Sequence, residues 1–129
     1  MLSPTPVLLR DATRNGYAIG AFNVYNLEGA LAVAAAAEKA HSPAMLQVLP
    51  SALVQGGAVL IELCLAVAAW ASVPMAVQLD HCSDPSVIDL ALNAGVSSVM
   101  VDGSPLPFRE NVAFTQQMAK RAERSGCDG

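Results

Sequence analysis

The stretch from Met75 to Phe108, MAVQLDHCSDPSVIDLALNAGVSSVMVDGSPLPF, contains a complete signal for a strand, a helix and a second strand. An apolar run from Met75 to Leu79 is followed by Asp84-Pro85, a capping residue with proline at the first helical position. The helix is predicted to stop at Asn93-Ala94-Gly95, and the apolar run from Val96 to Val101 is predicted to be the next strand. Two strands joined by a helix indicate a parallel sheet.

The same alternation recurs along the whole chain. The predicted strands are Ala18 to Asn23, Ala44 to Leu49, Met75 to Leu79 and Val96 to Val101. The predicted helices are a short one around Pro6 to Arg14, then Asn26 to Ala40, Ala58 to about Ala71, Asp84 to Ala94, and Pro107 to about Arg124. Units of about 30 residues match half of an eight-fold barrel of roughly 250 residues. We therefore predict an α/β fold of the (β/α)8 TIM-barrel type, with only the first four β/α units present as one domain over residues 1–129.

Composition and charge narrow the classes of protein. With 53% hydrophobic and 14% charged residues, the chain is expected to bury a core rather than to be disordered. A net charge of −4 with only 7 Lys plus Arg offers no basic patch for nucleic acid or an anionic membrane, so neither partner is expected. The longest nearly apolar run, Ala58 to Ala71, is interrupted by Glu62 and is shorter than the roughly 18 to 20 residues that span a bilayer. It is predicted to be a buried helix.

The N-terminal residues and the cysteine pattern both fit a protein of the reducing cytoplasm. The first residues lack a basic segment followed by an apolar run and a cleavage site, so a cytoplasmic location is expected. Cys64, Cys82 and Cys127 are odd in number and far apart, without a C-x-x-C pair. They indicate neither a disulfide framework nor a structural zinc site.

Polar residues follow the predicted strands, at the end of a parallel α/β sheet where ligands bind. Asp80 and His81 end the third strand, and capping is a weak explanation for Asp80 because Asp84 already caps the next helix. His81 beside a carboxylate is interpreted as a ligand or catalyst, the alternative being a hydrogen-bonded core histidine. Adjacent side chains on a regular strand point to opposite faces, so Asp80 and His81 can face one cavity only if the backbone departs from strand geometry between Leu79 and His81. We predict such a departure there.

Two further positions leave alternatives open. Asp102-Gly103-Ser104 is either a functional group at the end of strand four or a simple turn, and Ser104 could equally begin the last helix. His41 precedes strand two at the opposite end of the sheet, too far from His81 to share a metal. A catalytic zinc takes three protein ligands, so the missing ones would come from beyond Gly129 or from another chain, or there is no metal site.

Three stretches together resemble the class II, metal-dependent fructose-bisphosphate aldolase family. They are GAFNV at residues 20–24, VQLDH at residues 77–81 and SVMVDGSPLPF at residues 98–108, with Asn111 following as in the family's L-P-F-x-x-N. The resemblance covers essentially the whole chain and places the motifs at the ends of strands one, three and four.

The resemblance implies zinc-dependent, reversible aldol cleavage of a ketose 1,6-bisphosphate, foremost fructose bisphosphate, into dihydroxyacetone phosphate and an aldehyde. The metal would polarise the ketone and stabilise the enediolate. Asp80 matches the family's catalytic acid/base and His81 a zinc ligand, while Asp102 matches a second or alternative metal position and Asn23 a substrate-pocket position. The complete protein is expected to be a homodimer.

The chain also departs from the family pattern. Gln78 stands where members often have histidine, Cys82 where they have glycine, and Leu49 where they often have serine for a substrate phosphate. The remaining zinc ligands and the main phosphate loops belong to the family's second half-barrel, so the chain alone is expected to be inactive. The alternative is a non-catalytic half-barrel remnant that acts as an interaction module through exposed strand edges. A pair of halves closing into one barrel would give a discrete dimer.

Overall fold

The computed structural model describes residues 1–127, so Asp128 and Gly129 of the predicted domain lie outside the described residues. Helices and strands alternate along the chain after an initial helix. In order they are α1 Thr5–Asn15, β1 Gly20–Asn23, α2 Leu27–Lys39, β2 Ala44–Val48, α3 Pro50–Trp70, β3 Met75–Cys82, α4 Pro85–Ala94, β4 Ser98–Val101 and α5 Phe108–Arg124.

The four strands form one parallel sheet in chain order, β1-β2-β3-β4. Phe22 pairs with Leu46, and Leu46 with Val77, so side chains of one row share a face of the sheet. Each connection runs through a helix, as parallel pairing requires. The predicted α/β fold with a parallel four-stranded sheet is confirmed.

The two faces of the sheet are covered differently. Helices α2 to α5 cover one face, where the main core of fully buried side chains includes Leu46, Ile61, Val77, Leu79, Ile88 and Met118. On the other face, here called the inner face, Leu8 of α1 packs on Met45 and Ala76. The hydroxyl of Thr5 donates to Ser98 Oγ at 3.0 Å on the same side. Helix α1 therefore covers the N-terminal half of the inner face and leaves its C-terminal half to polar residues.

Helix α3 begins earlier than predicted. It starts at Pro50 instead of Ala58, and its only non-helical residue is Gly57, with φ 53° and ψ −154°. A glycine pair, Gly56-Gly57, precedes the predicted start at Ala58 and indicates a break in the chain, but glycine tolerates this backbone and the helix resumes at once. By length and composition alone this 21-residue helix could cross a membrane, yet Ile61, Cys64 and Ala68 on one side of it are buried in the core of the sheet.

Strand β3 runs to Cys82, beyond its predicted end at Leu79. The pairing of β3 with β4 shifts register between Leu79 and Cys82, and His81 has a left-handed φ of 44°. This is a β-bulge, in which one extra residue re-aims the neighbouring side chains. The predicted departure from strand geometry at this point is confirmed.

The helix ends that were predicted from capping residues and from a terminal glycine are confirmed. The side chain of Asn26 accepts the Gly29 N–H at 2.8 Å, Asp84 accepts the Ser86 N–H at 2.8 Å, and Gly95 ends α4 with φ 92°. Ser104 does not begin the last helix, since α5 starts at Phe108, after Pro107.

Candidate active site

The bulge in β3 contains two ionisable side chains that are adjacent in sequence. Asp80 points to the inner face and is only 8% exposed. His81 has a left-handed backbone conformation, and its side chain is 55% exposed. The two groups therefore lie at the carboxyl end of β3 with different surroundings, a carboxylate held in the protein and an imidazole open to a ligand.

Amide groups from the two preceding strands hold the carboxylate of Asp80. Asn23 at the end of β1 donates from Nδ2 to Oδ2 at 3.3 Å, and Gln47 of β2 lies with Nε2 3.5 Å from Oδ1. Both carboxylate oxygens thus face an N–H donor, which restricts rotation of the carboxylate. Because Asn23 pairs with Gln47 across the sheet, the parallel register itself places these donors side by side.

A glutamine pair completes this network and was missed by sequence reasoning. Gln47 also donates from Nε2 to Gln78 Oε1 at 2.7 Å, and the two residues pair across β2 and β3. A usable signal was present in the sequence, because each glutamine interrupts an otherwise apolar strand. A polar residue in such a place needs a hydrogen-bonding partner. From the sequence, Gln78 stands out only as a departure from the family pattern.

His81 and Asp102 are brought together from the ends of β3 and β4. Nδ1 of His81 lies 3.2 Å from Asp102 Oδ2, and Asp102 Oδ1 accepts the Ser104 N–H at 3.0 Å. Hydrogen bonds from Ser104, followed by the contact with His81, lower the pKa of Asp102 to about 2. A carboxylate at Nδ1 fixes the ring and directs Nε2 toward a ligand, as in many metal-binding histidines.

The loop after β4 folds tightly against α5. Asp102 takes part in a turn, because its side chain accepts a hydrogen bond from the Ser104 N–H. The same side chain contacts His81, so the two interpretations of Asp102, as a turn residue and as a site residue, hold together. A Cβ on Gly103 would overlap the side chain of Asn111 and lie only 2.8 Å from its Cγ. Asn111 Oδ1 in turn accepts the Thr115 hydroxyl at 3.1 Å. An alanine at residue 103 would therefore force the Asn111 side chain to move, and the packed loop keeps Asp102 in place.

The described residues supply part of a zinc site. Among residues 1–127 no group of three or more His, Cys, Asp or Glu side chains is close enough to hold a metal. His81 and Asp102 contribute two donors, whereas a catalytic zinc takes three protein ligands. These residues do not by themselves form a complete site, and the ligand roles of His81 and Asp102 stay predictions.

Comparison with known proteins identifies the family. The sequence model described as Fructose-bisphosphate aldolase class-II matches residues 4–128. The chain belongs to the class II fructose-bisphosphate aldolase family. The fructose-bisphosphate aldolase of Thermus caldophilus is 40% identical over 119 residues, which are 92% of this chain and 39% of that protein.

Other relatives extend the comparison. The D-tagatose-1,6-bisphosphate aldolase subunit GatY of Klebsiella oxytoca is 36% identical over 118 residues, covering 91% of this chain and 42% of that protein. The crystal structure of a putative fructose-1,6-bisphosphate aldolase from Coccidioides immitis matches with a TM-score of 0.92 at 35% identity, over 95% of this chain and 48% of that chain. This class II aldolase chain thus spans less than half the length of the relatives that it matches.

Proposed function

We propose that this chain supplies the first four β/α units of a class II aldolase barrel that cleaves a ketose 1,6-bisphosphate reversibly into dihydroxyacetone phosphate and an aldehyde. The observation that carries the proposal is the Asp80 carboxylate, held by amides at both oxygens beside the His81–Asp102 pair. The four parallel strands in chain order support the half-barrel part of the proposal.

Asp80 is the proposed acid/base. In the cleavage direction its carboxylate accepts the proton of the hydroxyl at the bond that breaks, and in condensation it returns that proton. A general base acts at hydrogen-bond distance from the proton that it moves, so a carboxylate with restricted rotation is suited to this role. Asn23, which donates to Asp80 from the neighbouring strand, is the proposed substrate contact.

His81 is the proposed zinc ligand, and Asp102 either orients it or serves a second metal position. Zinc, when bound, supplies Lewis-acid polarisation of the ketone. The remaining ligands would come from residues outside 1–127 or from another chain. We therefore expect the 129-residue polypeptide alone to show no aldol cleavage.

Fructose 1,6-bisphosphate is the substrate that we propose first. The 40% identical relative from Thermus caldophilus is named a fructose-bisphosphate aldolase, and the 36% identical Klebsiella oxytoca relative is named a tagatose-bisphosphate aldolase subunit. Tagatose 1,6-bisphosphate is therefore the second candidate. A cytoplasmic location, a homodimer of the complete protein and the lack of nucleic-acid or membrane partners belong to the same proposal.

A chimera tests the proposal. The aligned 119-residue segment of the Thermus caldophilus enzyme is replaced by the corresponding segment of this chain, and cleavage of both bisphosphates is measured with added zinc. We expect cleavage of fructose 1,6-bisphosphate, reduced by roughly 10² to 10⁴-fold in Asp80→Asn because the proton acceptor is lost.

The exposed carboxylate of Asp11 on α1 provides the matched control, and Asp11→Asn should leave the rate unchanged. A chimera that folds and binds zinc but cleaves neither bisphosphate would contradict the proposed activity. A fully active Asp80→Asn chimera would contradict the role of Asp80 alone.

A further inference from the structure

A row of polar side chains crosses the inner face of the sheet next to Asp80. From β1 to β4 its members, which pair in register, are Asn23, Gln47, Gln78 and Ser98. Gln47 and Gln78 belong to the two central strands, so the contact between them involves neither edge of the sheet. The row therefore forms a polar layer between the apolar contacts of α1 and the carboxylate of Asp80.

Gln47 makes two contacts of different strength through one amide nitrogen. Nε2 donates to Gln78 Oε1 at 2.7 Å and lies 3.5 Å from Asp80 Oδ1. The first distance is that of a short hydrogen bond, and the second is at the long limit for one. Fixing a glutamine side chain in one conformation has a high entropic cost, which the long contact alone does not offset. The bond to Gln78 is therefore what keeps the amide of Gln47 beside Asp80.

The carboxylate of Asp80 needs a donor at each oxygen to stay in one plane. The χ2 torsion of aspartate has only broad, two-fold preferences, so the carboxylate turns easily. Asn23 Nδ2 donates to Oδ2 at 3.3 Å, and Gln47 is the residue that faces Oδ1. A single donor would leave this torsion soft, whereas two donors from different strands restrict it.

The directions of these hydrogen bonds are mutually consistent. An ionised carboxylate only accepts hydrogen bonds, so an N–H of Gln47 must face Asp80. The second N–H of the same nitrogen is then directed to Gln78, which must present its oxygen. Gln78 thus fixes which end of the Gln47 amide meets the carboxylate.

We propose that Gln47 and Gln78 are a positioning pair for the Asp80 carboxylate. Gln78 anchors the amide of Gln47, and Gln47 holds Oδ1 of Asp80 in the orientation in which the carboxylate accepts the proton of the substrate hydroxyl. Both glutamines act through Asp80 and not on the reacting atoms. The inference rests on the proposed function, in which Asp80 is the acid/base.

Kinetics of the zinc-loaded chimera test the inference. Gln47→Met and Gln78→Met keep the length of the side chain but lack the amide, and each should lower kcat roughly 10- to 100-fold with KM within about 2-fold. Gln78→His should restore most of kcat, because a neutral imidazole nitrogen can accept the Gln47 N–H. In an Asp80→Asn background, Gln47→Met should cost less than about another 2-fold, since residues that act through one group are not additive.

Gln117→Met makes the same change at an exposed position of α5 and should leave kcat unchanged. All variants should keep the circular dichroism and zinc content of the parent chimera. Crystal structures should show one orientation of the Asp80 carboxylate in the parent and a rotated or divided one in Gln78→Met.

Three kinetic results overturn the inference: a change in KM alone, a full additional loss in the Asp80→Asn background, or no recovery in Gln78→His. An Asp80 carboxylate that keeps its orientation in both methionine variants overturns it as well. A parent chimera that cleaves neither bisphosphate contradicts the proposed activity instead, and the crystal structures then decide for or against the positioning pair.

Discussion

At the residue scale, single side chains decide how the site is held. Gln47 contacts both Gln78 and Asp80 through one amide nitrogen, and Asp102 contacts both His81 and Ser104 through its two oxygens. Each of these residues joins neighbouring strands or a strand and a loop. Gln47 therefore orients the carboxylate of Asp80, and Asp102 orients the imidazole of His81.

Gly103 allows a test of the close packing between the loop after β4 and α5. Gly103→Ala brings a Cβ onto the side chain of Asn111, so we expect a loss of roughly 1 to 3 kcal/mol in the free energy of unfolding, measured with urea. Asn111→Ala removes the overlap. In the double variant the two effects should be less than additive, and full additivity would contradict a direct steric contact.

At the element scale, helix ends and breaks depend on local chemistry. The Asp84 carboxylate accepts the amide and the hydroxyl of Ser86 at 2.8 and 2.7 Å, and these bonds lower the pKa of Asp84 from its ordinary value of 3.8. Because the pKa is lower in the folded state, the stabilisation is present above pH 3.8 and is lost as the pH falls through the folded pKa.

Asp84→Ala should therefore lower the Tm at pH 7, with a difference from the parent that shrinks as the pH falls below 3.8. Asp84→Asn keeps a capping side chain without a titratable group, so it should lower the Tm at pH 7 by less than Asp84→Ala does. Its difference from the parent should also shrink as the pH falls below 3.8, because the Asp84 charge of the parent is then neutralised. A pH-independent loss in Asp84→Ala would show that the charge of Asp84 contributes nothing.

Gly57 tests the break inside α3. Its φ of 53° and ψ of −154° define a backbone conformation that residues other than glycine rarely adopt. A Cβ at this position would nevertheless meet open space. Gly57→Ala should cost roughly 1 to 3 kcal/mol through backbone strain alone, measured by urea unfolding. Val59→Ala, at a site 70% exposed in the same helix, should change the stability by less than about 0.5 kcal/mol.

At the scale of the whole molecule, α1 connects the N-terminal segment to the inner face of the sheet. Leu8 is 4% exposed against Met45 and Ala76, whereas its neighbour Leu9 is 48% exposed. Leu8→Ala should cost roughly 2 to 5 kcal/mol in urea unfolding, because it leaves a cavity between α1 and the sheet. Leu9→Ala should cost far less, and equal losses would contradict this packing of α1.

The N-terminal amine adds a second long-range contact at this scale. The Met1 ammonium donates to Ala68 O at 2.7 Å and to Val73 O at 3.0 Å, and it also contacts Ala71 O. A positive charge at the C-terminal carbonyls of α3 is favourable because of the helix dipole. Burial beside these groups lowers the pKa of the Met1 amine, while the charge of Glu38 raises it.

The order of helices and strands, and the end of the sheet where the site lies, follow from local features of the amino-acid sequence. Alternating apolar runs, the caps at Asn26 and Asp84 and the stop at Gly95 are local features, since each depends on residues within a few positions. The placement of Asn23, Asp80, His81 and Asp102 at strand ends followed from the parallel topology. A departure from strand geometry before His81 was predictable on the premise that Asp80 and His81 face one cavity, because alternation places adjacent side chains on opposite faces.

The contacts between side chains of the site, in contrast, depend on the tertiary structure. Asn23 and Asp80 are 57 residues apart, Gln47 and Gln78 are 31 apart, and His81 and Asp102 are 21 apart. These contacts depend on strand register and on the bulge at His81, neither of which local propensity specifies. The continuation of α3 through Gly57 was missed for a related reason: a glycine pair permits either a loop or a kinked helix, and packing of the following turns on the sheet selects the helix.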